Sequence, residues 1–196
     1  MKSLNNQYFI LRHGESKANV AHILLSHPKD GTVGFGLTKK GRGQVKKSVL
    51  KAEKEKLLDG DAIIYSSDFL RAKETAEIAG KLLGIKKIHF HKNLRERYFG
   101  QYDKTSLDNI KIAWEYDRKN PNHKYRRVES PNKVLKRALV LIKQLEKKYQ
   151  GKKILLVSHG DVSQILLTHF FKKPASHHRE IPHMETAELR ELAFNE

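Results

Sequence analysis

The chain alternates short apolar runs with longer amphipathic segments, and the points where one gives way to the other mark its elements. Tyr8 to Leu11 is a continuous apolar run of strand type that stops at the polar, glycine-containing stretch Arg12 to Asn19. Thr38 is placed to cap a helix whose apolar positions fall at Val45, Val49 and Leu50 and which ends near Gly60. Ala62 to Tyr65 is a second buried-strand run, followed by Ser66, Ser67 and Asp68, any of which can cap the next helix. In that helix Phe69, Ala72, Ala76, Ala79 and Leu83 recur at three- and four-residue steps, and Gly84 stands where a left-handed residue ends it.

Ile88 to Phe90 reads as a brief strand. From Asn93 to Asp103 no period holds, and the polar region beyond, with Trp114 and Asn120-Pro121, reads as helix or loop. Ser130-Pro131 opens a helix whose buried stripe is Val134, Ala138, Leu141, Ile142 and Leu145, running to Gly151. Lys153 to Val157 suits a central strand; it breaks at Ser158-His159-Gly160-Asp161 before the helical Val162 to Phe171. Ala187 to Phe194 fits one more strand or a short helix. Strands alternating with helices predict an α/β fold, a three-layer α/β/α sandwich with a mostly parallel central sheet. With 196 residues, no repeat and no linker, a single domain over 1–196 is expected.

Composition narrows the chemistry more than the fold. There is no cysteine, which excludes disulfides, zinc-thiolate sites and a cysteine nucleophile. The opening MKSLNNQYFILRHGES has no apolar run of signal-peptide length and no stretch approaches a membrane span, so a soluble, cytoplasmic protein without membrane association is expected. Lys and Arg outnumber Asp and Glu by 39 to 22, a formal +17 that attracts anionic partners at long range. These cations fall mostly on the polar faces of predicted helices, the ordinary pattern of a solvated surface.

Ligands of open α/β sheets bind beyond the carboxyl ends of the strands. Three loops there carry notable residues: Arg12-His13-Gly14-Glu15-Ser16, the segment leading to Arg71, and Ser158-His159-Gly160. Their joint occurrence points to phosphoryl transfer, in which charge spreads over equatorial oxygens and calls for fixed cationic donors and an in-line nucleophile. Arg12 and Arg71 supply planar donors. His13 can attack phosphorus through one ring nitrogen while an acceptor holds the other, and His159 can donate to the same oxygens.

The motifs LRHGES with Asn19, then LTKKGRGQ, SSDFLRAKETA, LRERYFG and VSHGD, resemble in residue and order those of the histidine phosphatase superfamily, the phosphoglycerate mutase-like family, over residues 8 to 163. The resemblance implies a three-layer α/β fold, His13 as phosphoryl acceptor, Arg12, Arg71 and His159 as the phosphate pocket, and Asn19 as a further contact. It also implies Glu96 as the acid that protonates the leaving oxygen and then activates water. On residue type alone Glu96 is a surface acid paired with Arg95 or Arg97. Ser16 and Thr38 are hydroxyls that either touch substrate or only cap a helix. Glu15 is equally a structural residue, and Gly160 serves a close backbone approach. Where many relatives have Gly before Glu-Ser, this chain has Val128-Glu129-Ser130.

The expected function is therefore a metal-independent phosphatase acting on a small phosphorylated substrate, needing no cofactor. The alternative is a cofactor-dependent phosphoglycerate mutase using the same phosphohistidine, for which 2,3-bisphosphoglycerate would be the primer. Only 62 residues separate Glu96 from His159, fewer than in typical mutases of that kind, which favours the phosphatase. Nucleic-acid binding accounts for the charge but not for the histidine-bearing loops, and no zinc-finger, RNP-like or basic-zipper pattern is present. A metal hydrolase would draw on His177, His178 and His183, which lack an HExxH pattern and read as an exposed loop. Arg118, Lys124, Arg126 and Arg127 are candidates for binding a second anionic group, or are solvated.

Overall fold

The computed structural model describes residues 4–194; the outermost ends of the expected 1–196 span lie outside the described residues. The strands are β1 (Gln7–Arg12), β2 (Ile63–Ser66), β3 (Ile88–Phe90), β4 (Lys153–Ser158) and β5 (Leu189–Glu191). They form one sheet in the order β3-β2-β4-β1-β5, with β1, β2, β3 and β4 mutually parallel and β5 antiparallel on β1. Helices α1 (Lys17–Val20), α2 (Pro28–Gly31), α3 (Lys39–Lys54), α4 (Leu70–Leu83), α5 (Ile110–Lys119), α6 (Pro131–Lys148) and α7 (Gly160–Phe170) complete the main elements.

The apolar strands are continuous because both faces are covered. Phe9, Leu11, Ile64, Leu155 and Val157 pack against Val45 and Val49 of α3 and Ala72, Ala76 and Ala79 of α4. Tyr8, Ile10, Tyr65, Ile154 and Leu156 point the other way, onto Ala138, Leu141, Ile142 and Leu145 of α6 and Leu166, Leu167 and Phe170 of α7. Alternation along each strand thus builds two core layers and the expected sandwich. Register then positions the site. Arg12 lies opposite Ser158 and Ser66 opposite Val157, so the residues that follow, His13, Ser67 and His159, leave neighbouring strand ends together.

Some local expectations are corrected. Helix α3 stops at Lys54 rather than near Gly60, and Leu50 is 49% exposed, because the buried stripe is Val45, Val49 and Ala52. None of Ser66, Ser67 and Asp68 caps α4: its N-cap position is Phe69, which makes no side-chain cap bond. Ser67 is drawn off to accept from Phe69 N (3.2 Å) and to bond His159, while Asp68 takes Arg95. Ser130 does precede α6, with Pro131 in the first turn, but its hydroxyl forms no cap bond. Gly84 ends α4 at φ 72°, as its position predicts.

The aperiodic middle is a chain of 3-10 turns around α5, gathered on a small cluster of Leu24, Phe99, Ala113 and Val128. Gly100 is required there: at φ 57° a Cβ would lie 2.1 Å from the Arg126 carbonyl oxygen. Gly41, in the first turn of α3, meets the loop after β1 in the same way, since a Cβ on it would stand 2.0 Å from the Glu15 carbonyl oxygen.

Candidate active site

His13 sits one residue past β1, its backbone fixed by hydrogen bonds to Ser158 O (3.0 Å) and from Ala187 N (3.1 Å). Its ring is buried and lies between two partners that define its tautomer. Nδ1 is 2.8 Å from the Gly14 carbonyl, an acceptor only, so Nδ1 carries the hydrogen. Nε2 then carries the lone pair, which accepts from Arg71 Nε at 3.0 Å. Burial, reinforced by the Arg71 and Arg12 cations, holds His13 well below the ordinary histidine range, so its imidazole stands neutral.

Arg71 enters from the first turn of α4, also buried. Nη2 donates to Leu25 O (3.0 Å) and Nη1 has no partner. Burial lowers its pKa to about 10, which leaves it cationic at neutral pH. His159, fully buried at the end of β4, lies with its ring centroid 5.1 Å from that of His13. Its Nε2 is 2.9 Å from Ser67 Oγ. That oxygen also accepts from Phe69 N and can either donate to His159 Nε2 or accept from it; with Ser67 as the donor, Nδ1 of His159 is an N–H with no partner. Arg12 Nε is likewise buried and unpaired, while its Nη1 donates to Met184 O (2.5 Å) and His183 Nε2 (3.2 Å). Three buried nitrogens, Arg12 Nε at the end of β1, Arg71 Nη1 in α4 and His159 Nδ1 after β4, thus lack partners beside the His13 ring. Unsatisfied buried groups are rare and costly, and three together describe a receptor for an anion rich in oxygen atoms.

Glu96 closes the site. Its Oε1 accepts from Arg97 N (2.9 Å), and its Oε2 lies 3.9 Å from Arg71 Nη2 and 3.8 Å from His159 Nδ1. Burial pushes its pKa up to about 7; Arg71 opposes the rise and the Asp161 carboxylate adds to it. A carboxyl that titrates near neutrality can give a proton and take one back.

A family model for the histidine phosphatase superfamily, branch 1, matches residues 8–196. The chain belongs to this superfamily. Phosphoglycerate mutase-like protein 4 of Arabidopsis thaliana is 28% identical over 167 residues, 80% of this chain and 67% of that protein. The metal-independent phosphoserine phosphatase of the same plant is 26% identical over 159 residues, 78% of this chain and 63% of that protein. The chain therefore spans about two thirds of the length of these relatives. Among solved structures, Bacillus stearothermophilus YhfR superposes with a TM-score of 0.75 at 28% identity, covering 95% of this chain and 90% of that one.

In this member of the superfamily a cavity of about 190 Å³ is lined by Arg12, His13, Ser16, Asn19, Arg71, Glu96 and Gly160, while His159 is fully buried with its ring centroid 5.1 Å from that of His13. Ser16 caps α1, exchanging bonds with Asn19: Ser16 N and Oγ both donate to Asn19 Oδ1 (3.0 and 2.8 Å). The Nδ2 group of Asn19 keeps no protein partner among the described residues. Gly160 opens α7 where a Cβ would stand 3.4 Å from Arg12 Cζ. Thr38 is not brought into the cavity: it caps α3 through Gly41 N (2.9 Å) and donates to Glu15 Oε1 (2.8 Å), which makes Glu15 structural too.

Neither surface partner takes Glu96. Arg95 forks onto Asp68 (2.7 and 2.6 Å), and Arg97, fully buried, forks onto Asp117 (2.7 and 2.6 Å) with Asp161 at 3.2 Å. The candidates Arg118, Lys124, Arg126 and Arg127 lie outside the cavity; the cation at its rim is Arg179, stacked 3.7 Å from the Trp114 ring. Trp114 Nε1 in turn donates to Asp161 (3.1 Å). The reading of the late histidines as an exposed loop fails for His178, which is fully buried on Asp117 (3.0 Å); His183 is exposed but lines the cavity beside Arg12. Sequence reading missed Ser67, Trp114, Asp161 and Arg179. Signals were available for Ser67, which directly follows the apolar run of β2, and for Asp161, which directly follows His159-Gly160, whereas Trp114 and Arg179 lie in segments without a clear apolar pattern. Among the described residues no three His, Asp or Glu side chains are grouped to hold a metal, and no helix is long and apolar enough to cross a membrane.

Proposed function

We propose that this chain is a metal-independent phosphatase for small phosphate monoesters, acting through a phosphohistidine on His13 with Glu96 as acid and then base. The observation that carries this is the set of three buried nitrogens without partners, Arg12 Nε, Arg71 Nη1 and His159 Nδ1, beside a His13 ring whose Nε2 carries the lone pair. The cavity, about 190 Å³, suits a small ester. As the phosphoryl group enters, its oxygens take over the Arg71 Nε–H. Nε2 then forms a bond to phosphorus as the ester P–O bond breaks, and protonated Glu96 passes its proton to the departing oxygen. The Gly14 carbonyl holds the Nδ1 hydrogen of the now cationic ring. In the second step Glu96, as carboxylate, takes a proton from water while the water oxygen bonds to phosphorus and the P–N bond breaks. Products are the alcohol and inorganic phosphate.

Phosphorus NMR with a panel of monoesters in EDTA tests the reading. Inorganic phosphate should appear with the wild type and not with a folded His13→Ala variant; equal turnover by both refutes the mechanism. With 3-phosphoglycerate, formation of 2-phosphoglycerate that depends on added 2,3-bisphosphoglycerate would assign the second step to a mutase instead.

A further inference from the structure

A second cavity, about 550 Å³, opens beside the first and shares only Glu96 with it. Its lining includes Lys92, Arg95, Lys124, Arg127, Lys133 and Arg137 against two carboxylates, Glu96 and Glu129. Two of the cations are already neutralised: Arg95 by Asp68 at 2.6 Å and Arg137 by Glu129 at 2.9 Å. Lys92, Lys124, Arg127 and Lys133 make no ion pair among the described residues. They arrive from three separate elements, the turn Lys92–Leu94, the turn Tyr125–Arg127 with the residue before it, and the first turn of α6. The middle turn is fixed rather than loose. Tyr125 stacks on Tyr116 of α5 with centroids 3.7 Å apart, and the backbone of Arg126 and Arg127 lies so close to Gly100 that no other residue fits there.

We propose that this cavity binds a small, multiply phosphorylated anion. Four like charges held around one concavity repel one another, and the arrangement is relieved when a polyanion spans them. A single phosphate would meet only part of the set, whereas a chain of linked phosphates reaches across a space of this volume. Lysines act here as point charges and Arg127 as a fork, the ordinary means of phosphate recognition. The site is distinct from the His13 cavity, and the proposal does not depend on the phosphatase reading because its test reads binding alone.

Tripolyphosphate is the probe, titrated calorimetrically in EDTA at low salt against protein in a His13→Ala background so that no turnover intrudes. Lys124→Gln with Lys133→Gln should weaken binding at least about tenfold, since both side chains are exposed and the fold does not need them. Removing the same charge elsewhere, by Lys46→Gln with Lys143→Gln, should leave affinity within about twofold, and so should Arg71→Gln. Equal loss in the distant pair would reduce the effect to net charge and overturn the site. Loss in Arg71→Gln with affinity kept in the Lys124 and Lys133 variant would place the anion in the His13 cavity and overturn it too.

Discussion

Replacing Glu96 with glutamine should stabilise the fold above neutral pH while removing most of the activity. In the unfolded chain this carboxyl ionises near 4.5, and in the folded protein near about 7. Between those values the folded state holds a proton that the unfolded state has released, so stability falls as pH rises through the interval. Above it both states are ionised and the whole cost of the buried carboxylate is present, about 3 kcal/mol at about 1.4 kcal/mol per pH unit. The side chain is only 14% exposed, so solvent screening takes little from that figure. Glutamine keeps an Oε1 acceptor for the Arg97 N–H and carries no charge. Urea unfolding should therefore show Glu96→Gln more stable than wild type by up to about 3 kcal/mol at about pH 8, and nearly equal at about pH 4. Loss of the acid should lower kcat/KM for alkyl phosphates by about 10² to 10⁴, and by less for p-nitrophenyl phosphate, whose leaving group needs no proton. A gain in stability that is the same at both pH values, or no gain at the higher one, would refute the account of Glu96 as a carboxyl strained by burial.

Three further substitutions probe the supports of the site. Asp117→Asn leaves the fully buried Arg97 without its fork partner and should cost about 3–5 kcal/mol in urea unfolding. Although burial opposes it, His178 and Arg97 hold the Asp117 carboxyl well below its ordinary range. The stability it contributes is thus present above that range and lost as pH falls through the folded value, so the variant should show a flatter acid limb. Ser67→Ala removes the hydroxyl that orients His159 and should lower kcat about tenfold, with KM little changed. Gly41→Ala drives a methyl into the Glu15 carbonyl and should cost about 2–4 kcal/mol, with turnover falling because the His13 loop shifts.

Legibility in the sequence followed periodicity. The runs 8–11, 62–65 and 153–157 and the stripes of α4 and α6 are repeated apolar signals, and each became an element with the expected face buried. The parallel register that sets His13 beside His159 follows from that order of elements. Misjudged positions were those where a local preference met a stronger tertiary demand. Leu50 is a good core residue on the wrong side of α3, and Ser67 is a good cap whose hydroxyl is taken by His159. The stretch from Asn93 to Asp103 carried no period, and polar bonds hold much of it. Asp103, for example, gathers Ser26 N, Ser26 Oγ and His27 N on a single oxygen.

The orientation of Glu96 shows why such a segment resists reading. Arg95, Glu96 and Arg97 are consecutive, and charge alone would pair the acid with a neighbour. Instead Arg95 is held outward by Asp68, and Arg97 is drawn inward by Asp117 and Asp161, residues far from it in sequence. With both cations engaged more strongly elsewhere, the acid between them turns to the space beside Arg71 and His159, at 3.9 and 3.8 Å. The carboxylates that satisfy its neighbours are therefore what free Glu96 for the cavity, and Asp161 adds the like charge that helps keep it protonated there.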